Sequence, residues 1–110
     1  MRVSVHAPEA TPELIGSARD RFTAGLRRYA SIVRDVAVQI RDENGPRGGR
    51  DQACTVRIAL KGGEEVCIRE KSNTPLQAIG HALKRVRRVV SEKINARPRK
   101  RRRGVRSAPE

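Results

Sequence analysis

The sequence predicts an α+β fold, a two-layer sandwich in which two helices cover one face of a four-stranded sheet. Four segments alternate apolar and polar residues with the period of two that half-buried strands show. Two longer segments repeat apolar residues every three or four positions, as amphipathic helices do. The predicted order is β-α-β-β-β-α, and a largely antiparallel sheet under both helices would bury every apolar stripe.

The first predicted strand and helix occupy the N-terminal part of the chain. Residues 2–6, RVSVH, alternate as a strand, and the PEATPEL that follows breaks the alternation. Thr11 is placed to cap a helix whose first residue, Pro12, needs no backbone N–H. An apolar stripe at helical spacing then runs from about residue 12 to 30 and comprises Leu14, Ile15, Ala18, Phe22, Gly25, Leu26 and Tyr29.

Three more strands are predicted at residues 35–41, 53–60 and 65–71. Residues 42–52, between the first two of these, are polar and glycine-rich, and we expect a mobile loop there. The residues predicted to face the helices are Val36, Val38, Ile40, Cys54, Val56, Ile58, Leu60, Val66 and Ile68.

The turn between the last two strands sets their register. A three-residue turn at 62–64 keeps inward residues opposite inward residues, with Leu60 opposite Val66. The same register places Arg57 opposite Arg69 on the outer face, a pairing of like charges that is mildly destabilising.

The last helix is predicted to be amphipathic with a cationic wet side. Thr74 can cap it, and Gln77 three residues later completes a capping box. Its predicted buried stripe comprises Leu76, Ile79, Leu83, Val86, Val90 and Ile94. The opposite face carries His81, Lys84, Arg85 and Arg88, with Arg87 and Lys93 on the flanks. Only Glu92 offsets this positive charge.

Pro98 is expected to end this helix, and residues 96–110 are predicted to form an arginine-rich tail that is disordered alone. Residues 97–110 carry seven basic side chains and one acidic, whereas the other 96 residues carry 18 basic and 11 acidic. The chain is therefore divided into an α+β domain at residues 1–95 and a tail, and the domain alone is basic.

The formal net charge of +13 on 110 residues favours association with a polyanion, nucleic acid first and an anionic membrane surface second. Phe22 and Tyr29 are the only aromatic residues, so binding by base stacking is not expected. The N-terminus lacks the apolar run of a signal peptide, and no segment reaches the length of a membrane span. A cytoplasmic location is the expectation.

The residues that usually carry enzyme or metal chemistry are sparse. No glycine-rich phosphate loop is present, and neither His6 nor His81 has cysteines or carboxylates at metal-ligand spacing. Cys54 and Cys67 are predicted on opposite faces of the sheet, which fits reduced thiols. Cys67 as a nucleophile would need a neighbouring base, and none is indicated. We expect neither an enzyme, nor a cofactor, nor a metal.

The chain resembles the ribosome hibernation promoting factors, also called ribosome-associated inhibitors or ribosomal subunit interface proteins. The matching stretches are "LRRY" (26–29), the strand "DVAVQIR" (35–41), the hairpin "ALKGGEEV" (59–66) and the helix start "TPLQAIGHAL" (74–83). The resemblance covers residues 1–95.

This resemblance implies a double-stranded-RNA-binding-like fold. It implies a ligand of the small ribosomal subunit that occupies the decoding channel, blocks translation and preserves idle ribosomes under stress. Longer members add a C-terminal dimerisation domain that these 110 residues do not contain. We therefore expect a monomer or weak dimer whose partner is the small subunit and its ribosomal RNA, with no membrane and no small-molecule substrate.

The predicted RNA-binding residues are basic and lie in three groups. Arginine suits such a site because its planar fork bonds phosphate oxygens in pairs. The groups are the first helix (Arg21, Arg27, Arg28), the last helix (His81, Lys84, Arg85, Arg87, Arg88) and the tail (Arg99, Lys100, Arg101, Arg102, Arg103). The alternatives are a helix face that serves only solubility and a tail that binds any polyanion.

Three other functions remain open from the sequence. A generic structured-RNA or nucleic-acid-binding module would use the same charges without preferring ribosomes. An enzyme acting on RNA would need an acid–base or metal cluster. A membrane-surface protein would need bulky apolar residues beside its basic helix, whereas this helix has only the aliphatic stripe that the sheet requires.

Overall fold

The computed structural model describes residues 1–43 and 51–106, with side chains to residue 95. Its helices and strands in chain order are β1 (Arg2–His6), α1 (Pro12–Leu26), β2 (Val33–Asp42), β3 (Gln52–Leu60), β4 (Glu65–Ser72) and α2 (Pro75–Arg106), with a 3₁₀ turn at Arg27–Tyr29. The predicted α+β class and element order are confirmed. Most of the loop predicted to be mobile, residues 44–50, lies outside the described residues.

The four strands form one sheet in the order β1-β2-β3-β4. β1 runs parallel to β2, because α1 crosses over between them, and the other two pairs are antiparallel. α1 packs against β1, and α2 packs against β3 and β4, so both helices cover one face. The other face of the sheet is open to solvent.

The core between the layers is aliphatic apart from Phe22 and Cys54, and the described residues bury no polar or charged side chain. The alternation of β2, β3 and β4 places the predicted inward residues in this core. On α2, Ala78 and Ala82 join the buried stripe, whereas Leu76 is 47% exposed. The prediction that Leu76 is buried is wrong: Ala78 and Ile79, and not this first-turn residue, occupy the buried side at the start of the helix.

Both predicted N-caps are present. The backbone N–H of Leu14 donates to Thr11 Oγ1 at 3.2 Å, and that of Gln77 donates to Thr74 Oγ1 at 3.2 Å. The Gln77 side-chain oxygen accepts a hydrogen bond from Ser72 Oγ at 3.0 Å, which ties the helix start to the end of β4.

The predicted hairpin register is wrong by two residues. The turn comprises residues 61–63: the Leu60 N–H donates to the Glu64 carbonyl at 2.8 Å. Gly62 and Gly63 adopt φ of 103° and 94°, which glycine tolerates best. A shift of two leaves every side chain on its predicted face, since the strand period is two, so the hydrophobic pattern alone does not exclude it.

The new register changes the neighbours on the open face. Arg57 lies opposite Cys67, and Arg69 lies opposite Thr55. Arg57 and Arg69 are therefore not opposite each other, contrary to the prediction from the sequence. The like-charge repulsion expected from that pairing is absent.

Helix α2 continues through Pro98 to Arg106, so the prediction that Pro98 ends it is wrong. An interior proline costs about 3 kcal/mol because it removes one N–H bond and crowds the carbonyl four residues earlier. Lysine and arginine at 99–103 have favourable helix propensity and suit the negative end of the helix dipole. The domain boundary at residue 95 and the disorder of residues 96–110 in isolation stay predictions.

Candidate nucleic-acid interface

Helix α2 lies along the sheet and turns its basic side outward. It starts beside the end of β4 and runs back toward the β3–β4 turn, where Lys93 Nζ lies 2.6 Å from Glu64 Oε2. Since residue 93 already reaches the end of the sheet, the backbone from 94 to Arg106 projects beyond it. Thirteen helical residues extend about 20 Å at 1.5 Å each.

The outer side of α2 borders a groove of about 430 Å³ beside β4. Its lining residues are Glu70, His81, Lys84, Arg85 and Arg88. All four α2 residues are exposed, as predicted, and successive turns of one helix bring them together. The groove therefore offers several hydrogen-bond donors and one carboxylate.

The cations of α2 near this carboxylate differ in whether they already have an anionic partner. Glu70 Oε2 accepts a hydrogen bond from Arg85 Nη1 at 2.7 Å, so Arg85 already has an anionic partner. Lys84, Arg87 and Arg88 have no carboxylate oxygen within 4.0 Å among the residues whose side chains are described. These three are the cations that an external anion meets without competition.

The sequence did not reveal this division. Glu70 and Arg85 are 15 residues apart, and Glu64 and Lys93 are 29 apart. Pairs so distant share no helical or strand period. The sequence offers one signal: the alternation of β4 places Glu70 on the same face as Val66 and Ile68, the face that the helices cover. This signal identifies Arg85 as the partner only when the position of α2 on the sheet is known.

Helix α1 approaches α2 through a glycine. A Cβ added at Gly25 would lie 2.9 Å from both terminal methyl groups of Leu83, so only glycine permits this approach without a shift. Arg21 lies one turn before Gly25 on α1, Arg28 lies three residues after it in the 3₁₀ turn, and Arg87 follows Leu83 by one turn of α2. The spacing predicts that these arginines line the rim of the helix–helix contact.

The first-helix arginines are exposed, as the sequence predicted. The guanidinium carbon of Arg28 lies 5.6 Å from the ring centroid of Tyr29, a cation–π distance that helps to hold its head group. Arg27 belongs to the 3₁₀ turn after α1. Arg28 belongs to the same turn, so of the three arginines proposed on this helix only Arg21 lies on α1 itself.

The open face of the sheet also carries basic side chains, but acidic neighbours hold several of them. Glu43 forms ion pairs with Arg69 and with Lys71, the latter at 3.3 Å. Desolvation raises the pKa of the Glu43 carboxyl, but the hydrogen bond from Lys71 and the charge of Arg69 outweigh it. The pKa therefore lies below its ordinary value of 4.5.

The cysteines occupy opposite faces of the sheet, as predicted, and both are free thiols. Cys54 is buried among the core residues, and burial raises its pKa to about 12. Cys67 is exposed on the open face. No group of three or more His, Cys, Asp or Glu able to hold a metal occurs in the described part of the chain.

The tail residues proposed for RNA binding, Arg99 to Arg103, belong to the projecting part of α2. Their side chains lie outside the described set, so their role stays a prediction. Within residues 1–43 and 51–106, no helix is long and apolar enough to cross a membrane.

These features define a class: a small two-layer α+β protein whose last helix carries, among the described side chains, exposed cations without a carboxylate partner. No protein-family model matches the chain, and no curated protein matches it in sequence. Solved structures do match. A ribosomal subunit interface protein from Coxiella burnetii superposes with a TM-score of 0.68 at 10% identity, covering 86% of this chain and 99% of that one.

A second solved structure, the N-terminal domain of Protein Y from Thermus thermophilus, matches with a TM-score of 0.64 at 18% identity. It covers 83% of this chain and 93% of that domain. Coverage this complete means that the whole α+β domain is shared. The resemblance that the sequence suggested is thus confirmed at the level of the fold.

Proposed function

We propose that this chain binds the ribosome through the RNA of its small subunit and restrains translation while ribosomes are idle. The observation that carries the proposal is the set of unpaired, exposed cations Lys84, Arg87 and Arg88 on one side of α2. They lie on a fold shared with a ribosomal subunit interface protein and with a Protein Y domain. This protein then acts by occupancy and not as an enzyme.

Phosphate contacts supply the binding energy in this proposal. Guanidinium groups bond phosphate oxygens in pairs, and such contacts fix position without reading bases. Arg21 on α1 and Arg28 in the turn after it are proposed to extend the surface beside Arg87. Because aromatic side chains are nearly absent, recognition rests on shape and charge, which suits a folded RNA surface better than a flexible strand.

The site on the ribosome is proposed to be the decoding channel, where messenger and transfer RNA would otherwise lie. A folded body held there by phosphate contacts excludes both ligands sterically. The chain would do this in the cytoplasm as a monomer or weak dimer, without a small-molecule substrate or a membrane partner.

The basic extension at residues 97–110 is proposed to strengthen this binding. It carries seven of the 25 lysine and arginine residues, and the helix directs residues 97–106 away from the sheet. Deleting residues 97–110 is expected to weaken ribosome binding and to flatten the plot of log affinity against log salt. Unchanged affinity and slope would show that the extension makes no contact.

The experiment that tests the proposal is cosedimentation of the purified chain with small subunits, large subunits and free ribosomal RNA at near-physiological salt. Saturation near one copy per small subunit, with little binding to the other two partners, is expected. Equal and non-saturating binding to all three would overturn the proposal in favour of a generic nucleic-acid-binding module.

The same experiment gains a residue-level control. Lys84→Gln together with Arg88→Gln removes two unpaired cations, whereas Arg69→Gln together with Lys71→Gln removes two cations that Glu43 already holds. Both double variants lower the net charge by two. Only the α2 variant is expected to lose cosedimentation with small subunits. An equal loss of cosedimentation in both variants would mean that net charge alone drives the association.

A further inference from the structure

The open face of the sheet contains a depression that the proposed helix surface does not use. Ala37 forms its floor, since this small side chain lies between Ser4 on β1 and Arg57 on β3. The next row across the same strands is His6, Gln39 and Thr55. Directly opposed side chains stand about 5 Å apart, so these two rows form one patch. The depression has a volume of about 240 Å³.

Every polar side chain in this lining can donate a hydrogen bond, and none is a carboxylate. The donors are the hydroxyls of Ser4 and Thr55, the amide of Gln39, the imidazole of His6 and the guanidinium of Arg57. A surface with donors and no acid favours an anion over a cation. The chain as a whole contains both acidic and basic side chains. The absence of an acid from this lining is therefore specific to the site and does not follow from the composition of the chain.

Arg57 is the charged group of the depression, and it has no carboxylate within 4.0 Å among the described side chains. Two acids on the same face are already engaged: Asp35 lies 4.0 Å from Arg2, and Glu43 holds Arg69 and Lys71. Arg57 instead faces Ala37 and Cys67 across the ladder. Its guanidinium is therefore available to an external ligand.

The size of the depression restricts that ligand. Pockets for drug-sized molecules enclose about 300–1,000 Å³, so a smaller and open site suits one phosphate group with part of its sugar. A planar guanidinium bonds two oxygens of such a group, and neighbouring hydroxyls bond others. The sheet holds these donors on rigid strands, which limits the entropy lost on binding.

We propose that Arg57, assisted by Ser4 and Thr55, forms a phosphate-binding site on the open face of the sheet, on the opposite side of the molecule from the cations of α2. The shared chemistry is a phosphate ester, whether it belongs to an RNA backbone or to a free nucleotide. A chain with anion sites on both layers can contact two phosphate-bearing segments at once. This site does not depend on the proposed ribosomal role.

The test uses nuclear magnetic resonance of the full chain carrying Lys84→Gln and Arg88→Gln, so that the helix surface no longer dominates binding. Inorganic phosphate, uridine monophosphate and a ten-nucleotide polyuridine RNA are titrated separately. Saturable shifts are expected at the backbone amides of Ala37, Thr55 and Arg57. Shifts with uridine monophosphate as strong as those with RNA indicate a free nucleotide, and much stronger shifts with RNA indicate a nucleic-acid backbone.

Arg57→Gln is the decisive variant, and Arg69→Gln is its matched control on the same face. We expect Arg57→Gln to weaken binding of uridine monophosphate or RNA at least tenfold, and Arg69→Gln to change it less than twofold. Both positions are exposed, and the dispersion of the amide spectrum verifies that each variant is folded. Equal losses in both variants, or shifts confined to α2, would overturn the site. Loss of cosedimentation with small subunits would bear on the proposed function alone.

Discussion

The outer side of α2 and the open face of the sheet both carry basic side chains, yet their carboxylates act differently. On the sheet, a single acid, Glu43, holds both Arg69 and Lys71. On α2, Glu70 holds Arg85, whereas Lys84, Arg87 and Arg88 have no carboxylate within 4.0 Å among the described side chains. The two surfaces are thus similar in composition and different in the charge they offer.

This difference bears on the proposed function, in which the position of the acids decides which cations of this strongly basic protein can contact phosphate. Exposed ion pairs stabilise a fold by only about 0–1 kcal/mol. Their larger effect here is on binding, because a cation that already has a carboxylate partner must give it up to reach a phosphate. Free cations on one helix side then act together, and on the open face of the sheet Arg57 likewise has no carboxylate within 4.0 Å among the described side chains.

The largest expected effect is a difference in reactivity between the two cysteines. It tests whether the helices cover one face of the sheet and leave the other face open to solvent. Cys54 is buried with a pKa raised to about 12, and Cys67 is exposed on the open face. Because the thiolate is the reactive form, a shift of three pH units from the ordinary 9.0 lowers its population about 1,000-fold. Labelling with a disulfide reagent at pH 8 should modify Cys67 rapidly and Cys54 only in denaturant.

The labelled position is assigned by mass spectrometry, with Cys67→Ser as the control that should leave the native protein unlabelled. Rapid modification of Cys54 in that variant would mean that the layer formed by α1 and α2 opens readily. Slow modification of Cys67 would mean that something covers the open face in solution.

The second-largest expected effect is a loss of affinity for small subunits when cations of α2 are removed. Replacing Lys84 and Arg88 by glutamine removes two charge-assisted hydrogen bonds, worth about 1.5 kcal/mol each at the low end, so affinity for small subunits should fall about 100-fold. The slope of log affinity against log salt should flatten by about 1.8, since each lost phosphate contact contributes about 0.9. Filter binding across a range of salt concentrations measures both quantities.

The matched variant, Arg69→Gln with Lys71→Gln, should lower that affinity less than about threefold, because Glu43 already screens those charges. If both double variants weaken binding equally, the contrast between the two surfaces is wrong. Circular dichroism should be unchanged in each, since all four side chains lie on the surface.

Much of the fold was predictable because burial leaves a periodic signal. Alternation placed Val36, Val38 and Ile40 on the inner face, and two Thr-Pro pairs marked both helix starts. The hairpin register was not predictable, since a shift of two residues preserves the faces. The continuation of α2 past Pro98 was not predictable from the proline alone, because the residues after it have favourable helix propensity that opposes the cost of one proline.

For the candidate site, the cationic side of α2 was predictable and the ion pairs were not. Helical spacing alone places Lys84 and Arg88 on one side. Which cations are free depends on Glu43, Glu64 and Glu70, whose partners are 15 to 29 residues away. Such pairs form only after the strands and α2 have packed, so no local sequence pattern predicts them.

A smaller effect is expected from releasing Arg85. Replacing Glu70 by glutamine removes the carboxylate that lines the groove beside α2 and frees the guanidinium that it holds at 2.7 Å. Affinity for small subunits should then rise about threefold to tenfold, which is the range expected for one additional phosphate contact. Glu65→Gln is the matched control, because it changes the same charge on the same strand but on the other face. An equal gain in both variants would mean that Arg85 contributes nothing specific.

The smallest expected effect tests the ion pairs of the sheet through their dependence on pH. The pKa of the folded Glu43 carboxyl is lowered, so its contribution to stability is present above the ordinary value of 4.5 and is lost as the pH falls through the folded pKa. The urea midpoint of the wild type should therefore slightly exceed that of Glu43→Gln at pH 7, and the difference should be smaller at pH 3, which is below the ordinary pKa of the carboxyl. Glu9→Gln, which alters an exposed acid with no ion-pair partner among the described residues, should match the wild type at both pH values. A difference between wild type and Glu43→Gln that persists undiminished at pH 3 would mean that Glu43 acts through packing, and the cations of the open face would then be freer than their geometry implies.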